Sequence, residues 1–346
     1  MIESTLRTAG GASRIILGGA LEDLAGLVPP GCRPAIITDT TVKRLHGSRF
    51  PRYEVLALRP GESAKTLRTV ERIHGQFLEW ELDRSSFVVG VGGGIVCDVA
   101  GFAASTYMRG VRFGFVPSTL LAQADAAIGG KNGVNVGRVK NIAGVFAPPD
   151  FVLEDFGILK TLPRRERLCG FAEIAKHALI ADRGMFERLE GEAAALIDLD
   201  PGALGRALSD SIRIKSAIVA ADEKESGERR KLNFGHTLGH AIENEAGIGH
   251  GEAVSIGMAA AGRISARRGM ISDADADRII GLLSSTGLPV RIPVSPARLM
   301  ENMRRDKKRR GGLIHFVLLS AIGRAEDVEL EYDELEGIVH DLCQPG

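Results

Sequence analysis

The sequence predicts an α/β half followed by a mainly helical half, and three observations support this fold class. Over the first 150 residues, short β-rich runs alternate with helical patterns, which is typical of a mainly parallel sheet with crossover helices. After residue 155, strand signals nearly vanish until residues 313–323. Pro148 and Pro149 disfavour helix and cannot donate to a sheet ladder. We therefore predict domains 1–150 and 151–346.

Six runs have the composition of buried strands. Each is short, apolar and rich in β-branched or aromatic residues, and they cover 14–18, 34–39, 53–58, 87–91, 113–117 and 151–155. Between the third and fourth runs, an apolar stripe from Leu67 to Leu82 predicts a helix with Ser63 as its N-terminal cap.

Composition excludes several classes of protein. Lys+Arg 44 and Asp+Glu 44 give a net charge of zero, so there is no global positive field for nucleic acid or an anionic membrane. Four widely spaced cysteines without a C-x-x-C motif exclude a disulfide scaffold and a cysteine-built zinc finger. No apolar stretch has the length of a membrane span, and the N-terminus lacks a signal-peptide pattern. We expect a cytoplasmic protein without nucleic-acid or membrane partners.

A glycine turn follows the fourth predicted strand. Gly92, Gly93 and Gly94 lead into a helical pattern, where backbone amides and the helix dipole favour an anion such as a dinucleotide pyrophosphate. The segment is not the G-x-G-x-x-G fingerprint, and a tight turn without a ligand is the alternative.

A second glycine-rich segment, predicted as a loop, carries several polar side chains. Asp125, Lys131, Asn135, Lys140 and Asn141 are the charged and amide groups in it. Lysine supplies a point charge and asparagine a donor, so this segment could bind phosphate or carboxylate. A solvated loop is the alternative interpretation.

Two further charged segments carry weaker signals. Glu62 and Lys65 lie where a strand ends and a helix begins, the edge at which parallel sheets bind ligands. Residues 304–311 contain Lys307 and Lys308 in a basic run that could reach an anionic substrate. In both segments, solvated surface charges are the alternative.

The clearest chemical signal combines one carboxylate with three histidines. Glu173 and Lys176 share a helix face at i,i+3, and His236 and His240 share another at i,i+4, while His250 begins a further helix. One glutamate and two histidines suffice to hold a catalytic zinc. Spacing alone favours His236 and His240 as a pair of ligands. A single buried histidine is more often a hydrogen-bonded core residue.

With these residues assembled, the chain resembles the dehydroquinate synthase family, within the wider sugar phosphate cyclases. The similarity runs from about residue 14 to 340 with order and spacing preserved. Its most specific segments are GGGIVCDVAGFAASTYMRG, STLLAQADAAIGGK, VKNIAGVF, LKTLPRRE, FAEIAKHALI, NFGHTLGHAIE and HGEAV. The resemblance implies a Rossmann-like NAD-binding domain over 1–150 and a mainly helical metal- and substrate-binding domain over 151–346.

The resemblance also implies site residues. It makes Glu173, His236 and His250 the ligands of one divalent metal, zinc or alternatively cobalt, with His240 as a neighbouring catalytic group. It places NAD against Asp39, Glu62, Lys65, Gly93, Gly94, Asp98, Ser118, Thr119, Lys131, Lys140 and Thr161. It assigns catalysis to Asp125, Lys131, Lys176, Asn233 and His240. It assigns substrate binding to Arg109, Lys140, Asn141, Lys215, Arg229, Lys307 and Lys308, with one of the last two reaching the substrate.

The implied activity is that of a carbon–oxygen lyase of the shikimate pathway, which supplies aromatic amino acid biosynthesis. A homodimer would convert 3-deoxy-arabino-heptulosonate 7-phosphate to 3-dehydroquinate and phosphate with NAD and a metal. Ala126-Ala127 and Asn132-Gly133 depart from the family pattern beside the substrate residues.

These departures leave another sugar phosphate cyclase as an alternative, of the amino-dehydroquinate synthase or 2-deoxy-scyllo-inosose synthase type. An NAD-dependent metal alcohol dehydrogenase of the glycerol dehydrogenase type would release NADH to solution and is a second alternative. A catalytically silent nucleotide-binding protein on the same fold is the third.

Overall fold

The computed structural model describes residues 1–137, 139–291, 295, 297–301, 313–331, 335–337 and 339–340, and it confirms the predicted fold class. The chain divides into two units, the first formed by residues 1–166 with 215–224 and the second by residues 167–214 with the described part of 225–346. The predicted division at residue 150 falls inside the first unit, which continues to residue 166 and includes the end of a later helix.

The strands include all six that the sequence predicts, as β2, β3, β4, β5, β6 and β9. The strand bounds are β1 Ile2–Thr8, β2 Gly11–Leu17, β3 Pro34–Asp39, β4 Glu54–Leu58, β5 Phe87–Gly92, β6 Arg112–Pro117, β7 Lys131–Val136, β8 Val139–Phe146, β9 Phe151–Glu154, β10 Leu313–Ala321 and β11 Arg324–Glu331.

Seven strands of the first unit form one sheet in the order β1-β2-β9-β6-β5-β3-β4. β1 and β2 are antiparallel, and the other neighbours are parallel. The chain moves outward from β3 to β4 and then forms β5 on the other side of β3. Ligands of open α/β sheets bind outside the carboxyl ends of the strands at such a reversal. Asp39 ends β3 and Gly92 ends β5 at this point.

Helices connect these strands and make up most of the second unit. Ten α-helices of the described residues have defined bounds: α1 Leu24–Leu27, α2 Thr40–His46, α3 Leu67–Glu79, α4 Gly94–Thr106, α5 Arg164–Ala181, α6 Arg183–Ile197, α7 Pro201–Ala221, α8 His236–Ala246, α9 His250–Arg267 and α10 Asp273–Thr286. Residues 297–301, 335–337 and 339–340 are also helical. None of these described helices combines the length and apolar character needed to cross a lipid bilayer. β10 and β11 pair as an antiparallel hairpin in the second unit.

The helix predicted after the third strand run is α3, but its predicted cap is wrong. The Thr66 hydroxyl accepts a hydrogen bond from the Thr69 amide at 3.2 Å, whereas Ser63 lies in a preceding 3₁₀ turn. Because that turn adds three residues before the helix begins, the capping position falls at Thr66.

The glycine-rich segment predicted as a loop is instead an antiparallel hairpin of β7 and β8. Asn132 and Val134 are buried, and the Asn132 amide donates to the Gly130 carbonyl at 3.2 Å and the Ala147 carbonyl at 2.8 Å. Gly101 on α4 permits this packing, because a Cβ there would lie 2.1 Å from Oδ1 of Asn132. Glycine and asparagine interrupt the alternation that normally reveals a strand.

Candidate active site

A cavity of about 530 Å³ opens in the first unit at the carboxyl ends of β3 and β5. Its size is within the range of small-molecule and cofactor sites. Six of the residues predicted to contact NAD line it, namely Asp39, Gly93, Gly94, Ser118, Thr119 and Thr161. Glu62, Lys65, Asp98, Lys131 and Lys140 were predicted with them and are not among its lining residues.

Two helix N-termini face this cavity. Gly93 is the N-terminal cap of α4, so the first amides of that helix lie beside the cavity lining. Oδ1 of Asp39 accepts hydrogen bonds from the amides of Thr41 at 2.8 Å and Val42 at 3.0 Å, which makes Asp39 the cap of α2. The N-terminus of α4 has no side-chain cap, and free amides at a helix N-terminus favour a phosphate, so the α4 end of the cavity suits a pyrophosphate.

Glu62 and Lys65 are not a solvated surface pair. Lys65 is buried and forms an ion pair with Asp98. Burial raises the pKa of Asp98, although the Lys65 ammonium opposes that shift. The Asn135 amide group donates to Oε1 of Glu62 at 2.7 Å, and its backbone amide donates to the Lys65 carbonyl at 2.9 Å. These residues therefore link α4 to the β7–β8 hairpin.

The other predicted groups of the first unit lie on four elements, and Lys215 is on α7. Asp125 belongs to a π-helical segment, Ala122–Ala126, and its Oδ1 lies 2.5 Å from Nζ of Lys215. The predicted residues on the hairpin are all exposed, namely Lys131, Lys140 and Asn141. Arg109 is exposed and follows the C-terminal end of α4, about 20 Å along that 13-residue helix from the glycine turn. The structure does not bring Arg109 to the cavity.

Three side chains of the second unit converge as a candidate metal centre. Glu173, His236 and His250 place one ligand atom each within 4.8 Å of one another. Oε1 of Glu173 lies 3.1 Å from Nε2 of His250 and 3.5 Å from Nε2 of His236. Tetrahedral zinc with bonds of about 2.0 to 2.1 Å separates its ligands by about 3.3 Å. The three residues therefore fit a divalent metal.

The three candidate ligands are brought together by three helices, α5, α8 and α9. Glu173 lies in the middle of α5, in a segment that is buried from residue 170 to 180, and its side chain is fully buried. His236 and His250 are the first residues of α8 and α9. His240 is exposed, and its ring centroid lies 5.3 Å from that of His236 and 6.2 Å from that of His250. Among the described residues, the candidate metal-binding group does not include His240. The pairing of His236 with His240 that spacing alone predicts is therefore wrong.

Without a metal, the electrostatics favour an ionised Glu173 and a protonated His250, so metal binding must displace a proton from His250. Burial alone would raise the pKa of Glu173, but Lys176 and the two histidines lower it well below its usual range. Nζ of Lys176 lies 2.5 Å from Oε2 of Glu173. Burial alone would lower the pKa of His250, but hydrogen bonds to Glu173 and Glu243 raise it to about 9. Glu173 is therefore an ionised buried carboxylate.

Two further predicted residues, Arg229 and Asn233, shortly precede His236 in the sequence. Arg229 is buried in the 3₁₀ segment Glu228–Asn233 that precedes α8. The Asn233 amide group donates to Oε1 of Glu225 at 2.8 Å. Lys307 and Lys308 lie outside the described residues.

Sequence reasoning missed two residues beside the ligands. Nδ1 of His250 lies 3.3 Å from Oε2 of Glu243, and the Gly251 amide donates to Sγ of Cys169 at 3.2 Å. Glu243 lies three residues after His240, and Cys169 four residues before Glu173, so helical spacing from the predicted residues could have indicated both.

Models of one protein family match both halves of the chain. Residues 55–169 match the family described as 3-dehydroquinate synthase N-terminal, and residues 170–309 match 3-dehydroquinate synthase C-terminal. A 3-dehydroquinate synthase of Halorhodospira halophila (strain DSM 244 / SL1) is 46% identical over 301 residues, which cover 85% of this chain and 85% of that protein.

Two solved structures are similar over nearly the whole chain. ValA (2-epi-5-epi-valiolone synthase) from Streptomyces hygroscopicus subsp. jinggangensis 5008, with NAD⁺ and Zn²⁺ bound, is 30% identical with a TM-score of 0.88, covering 98% of each chain. A 2-deoxy-scyllo-inosose synthase complexed with carbaglucose-6-phosphate, NAD⁺ and Co²⁺ is 26% identical with a TM-score of 0.87, covering 98% of this chain and 100% of that one. Because both halves match and the identity to a curated relative is high, the chain belongs to the 3-dehydroquinate synthase family.

Proposed function

We propose that the chain converts 3-deoxy-arabino-heptulosonate 7-phosphate to 3-dehydroquinate and phosphate, using NAD and one divalent metal. The observation that carries this proposal is the convergence of Glu173, His236 and His250 in a chain of this family. Relatives named for this activity match at 41% to 46% identity, whereas the cyclase structures named for other products match at 26% and 30%.

Glu173, His236 and His250 are proposed to hold the metal, zinc or cobalt. Three protein ligands leave a coordination position for a substrate oxygen. When bound, the metal would stabilise negative charge on a substrate oxygen, and NAD would supply reversible hydride transfer at a ring carbinol.

The cavity of the first unit is proposed to hold NAD. The start of α4 at Gly93 and Gly94 presents amides to the pyrophosphate. Asp39 ends β3 beside the cavity, where a carboxylate can accept hydrogen bonds from ribose hydroxyls. Lys65 and Asp98 are proposed to support this region through their ion pair.

The remaining charged groups are proposed to act on the substrate. In the second unit, Lys176 and Arg229 are buried cations, which suit a substrate with carboxylate and phosphate groups. Asn233 and His240 are proposed to position the reacting carbons and relay protons. In the first unit, the proposed substrate and catalytic residues are Asp125, Lys131, Lys140, Asn141, Lys215 and Arg109. Fixed donors of this kind accelerate a reaction when they meet charge that develops in the transition state.

A homodimer in the cytoplasm is part of this proposal, and the family resemblance supports it. Analytical ultracentrifugation of the purified chain measures the oligomeric state directly. A species of twice the chain mass is the expected result, and a monomer at micromolar concentration would contradict it.

Ala126-Ala127 and Asn132-Gly133 depart from the family pattern beside the predicted substrate residues. The structure weakens the argument from these departures for another cyclase activity. Asn132 and Ala127 are buried, and the amide of Asn132 is bonded to two backbone carbonyls. These side chains therefore act in packing. Of these four residues, only Ala126 is partly exposed to solvent.

A substrate screen tests the proposal. The chain is incubated with NAD, zinc and, in separate reactions, the heptulosonate phosphate, its amino-substituted analogue, glucose 6-phosphate and sedoheptulose 7-phosphate, and free phosphate is measured. We expect kcat/KM to be highest for the heptulosonate phosphate by at least tenfold. Faster phosphate release from another sugar phosphate would assign the chain to a different cyclase activity.

A further inference from the structure

Helices α5 and α9 touch through their backbones next to the candidate metal centre. Gly251 is buried in the first turn of α9, and its amide donates to Sγ of Cys169 on α5 at 3.2 Å. A Cβ at position 251 would lie 2.4 Å from Cα of Cys169 and 2.9 Å from its carbonyl oxygen. These atoms belong to a helix backbone, so no side-chain rotation can make room for a Cβ.

This contact is adjacent to two metal ligands. Gly251 directly follows His250 in α9, and Cys169 lies four residues before Glu173, on the same face of α5. Nε2 of His250 is 3.1 Å from Oε1 of Glu173. The distance between the two helix backbones at Cys169 and Gly251 therefore sets the distance between Glu173, one turn further along α5, and His250, the neighbour of Gly251.

The size of the overlap at position 251 determines how far a side chain there would push α9 away from α5. An added Cβ must move from 2.4 Å to at least 3.4 Å from Cα of Cys169 to reach ordinary contact, a displacement of 1.0 Å. Metal–ligand distances tolerate only about 0.2 Å. A shift of the start of α9 by 1.0 Å would therefore carry His250 out of reach of a metal held by Glu173.

We infer that Cys169 and Gly251 are positioning residues, whose contact sets the spacing of the metal ligands Glu173 and His250. The inference rests on the metal site proposed above. Cys169 contributes in a second way, because its sulfur occupies the space beside Gly251 and accepts an amide hydrogen bond that a helix N-terminus otherwise leaves unsatisfied.

Matched glycine variants test this inference. Gly251→Ala is compared with Gly262→Ala in the same helix, where the nearest atom to the added Cβ is Cδ1 of Ile279 at 3.5 Å, an ordinary contact. Zn²⁺ affinity of the metal-stripped full chain is measured by competition with a chromophoric chelator, and Co²⁺ coordination by visible absorption. We expect G251A to lose at least about tenfold in Zn²⁺ affinity and to change the Co²⁺ spectrum, while G262A stays within about twofold of wild type.

If G251A does not fold, a second pair of variants tests whether Cys169 positions the metal ligands. Cys169→Ser keeps an acceptor for the Gly251 amide and Cys169→Ala removes it, so C169A should weaken Zn²⁺ binding several-fold more than C169S. Equal affinities in G251A and G262A, or in C169A and C169S where G251A does not fold, overturn the positioning role. If wild type itself binds no divalent metal, the proposed metal site fails together with this inference, so the two failures are distinguishable.

Discussion

His250 lies between two carboxylates, and its contact with Glu243 orients it toward Glu173. Nδ1 of His250 donates to Oε2 of Glu243 at 3.3 Å, while Nε2 of the same ring lies 3.1 Å from Oε1 of Glu173. Histidine ligands commonly donate their second ring N–H to a carboxylate, which fixes the tautomer and strengthens the ligand. Glu243 therefore keeps Nε2 available for the metal.

Removing the Glu243 charge should weaken metal binding without unfolding the chain. For Glu243→Gln we expect Zn²⁺ affinity to fall about 10- to 100-fold, the usual effect of such outer-shell partners. Glu245→Gln, two residues later in α8, is the control with the same chemical change. Isothermal titration with Zn²⁺ measures both, and equal affinities would exclude an orienting role for Glu243.

Removing a metal ligand should abolish activity while the fold persists. His250→Ala deletes one of the three proposed ligands, so the variant should carry less than about a tenth of the wild-type metal and show no phosphate release above background. Chelation of wild type should have the same effect, and added zinc should reverse it. A variant with wild-type turnover and metal content would remove His250 from the site.

A buried carboxyl in the first unit should make stability pH-dependent. Glu154 ends β9 with no exposed surface, and neither carboxyl oxygen has a hydrogen-bond partner among the described residues. Burial raises its pKa well above 4.5. Because the folded pKa exceeds the unfolded one, this group lowers the free energy of unfolding as pH rises above about 4.5, by at most about 1.4 kcal/mol per pH unit.

Thermal unfolding of Glu154→Gln measures this effect. The amide mimics the neutral acid, so the variant should match wild type near pH 4, below the unfolded pKa, and be more stable by several degrees at pH 8. A Tm difference that stays constant between these pH values would show that Glu154 does not titrate as its burial indicates.

The cations of the β7–β8 hairpin test the substrate assignment. Replacing Lys131 or Lys140 with Met keeps the apolar stem and removes the charge. Loss of a charge-assisted contact that strengthens in the transition state should lower kcat/KM roughly 30- to 1,000-fold, or about 2 to 4 kcal/mol. NAD affinity should barely change, because neither lysine lines the cavity. Lys43→Met, an exposed lysine on α2, is the control.

If Lys131→Met and Lys140→Met change kcat/KM by less than about threefold, both lysines behave as solvated charges. That result, with an unchanged Tm, would separate the hairpin from substrate binding.

The sheet was predictable because its strands are short and apolar with clear boundaries. β3 and β5, for example, are almost entirely buried and read as continuous apolar runs. The β7–β8 hairpin was not predictable, since Gly133, Asn135 and Gly137 interrupt its alternating pattern. Its buried residue Asn132 instead packs against Gly101 of α4. Packing of this kind is a tertiary property that local composition does not report.

The candidate metal centre was predictable in part. Residue types and helical spacing indicated Glu173, His236, His240 and His250, but spacing alone paired His236 with His240. The structure instead groups residues from three helices, a relationship set by tertiary contacts. Only the family resemblance supplied that ligand set from the sequence. The contacts of Glu243 and Cys169 with the start of α9 depend on how the helices pack.

The proposed cyclase activity requires NAD to be both oxidant and reductant within one turnover, and a single reaction measures whether it is. The chain is mixed with zinc, the heptulosonate phosphate and NAD at a hundredth of the substrate concentration, and free phosphate and absorbance at about 340 nm are followed together. Because the hydride is returned to the substrate, phosphate should reach the substrate concentration with no accumulation of NADH. Phosphate release that stops at the NAD concentration, or NADH that rises in proportion to the substrate consumed, would contradict the cyclase account and support a dehydrogenase.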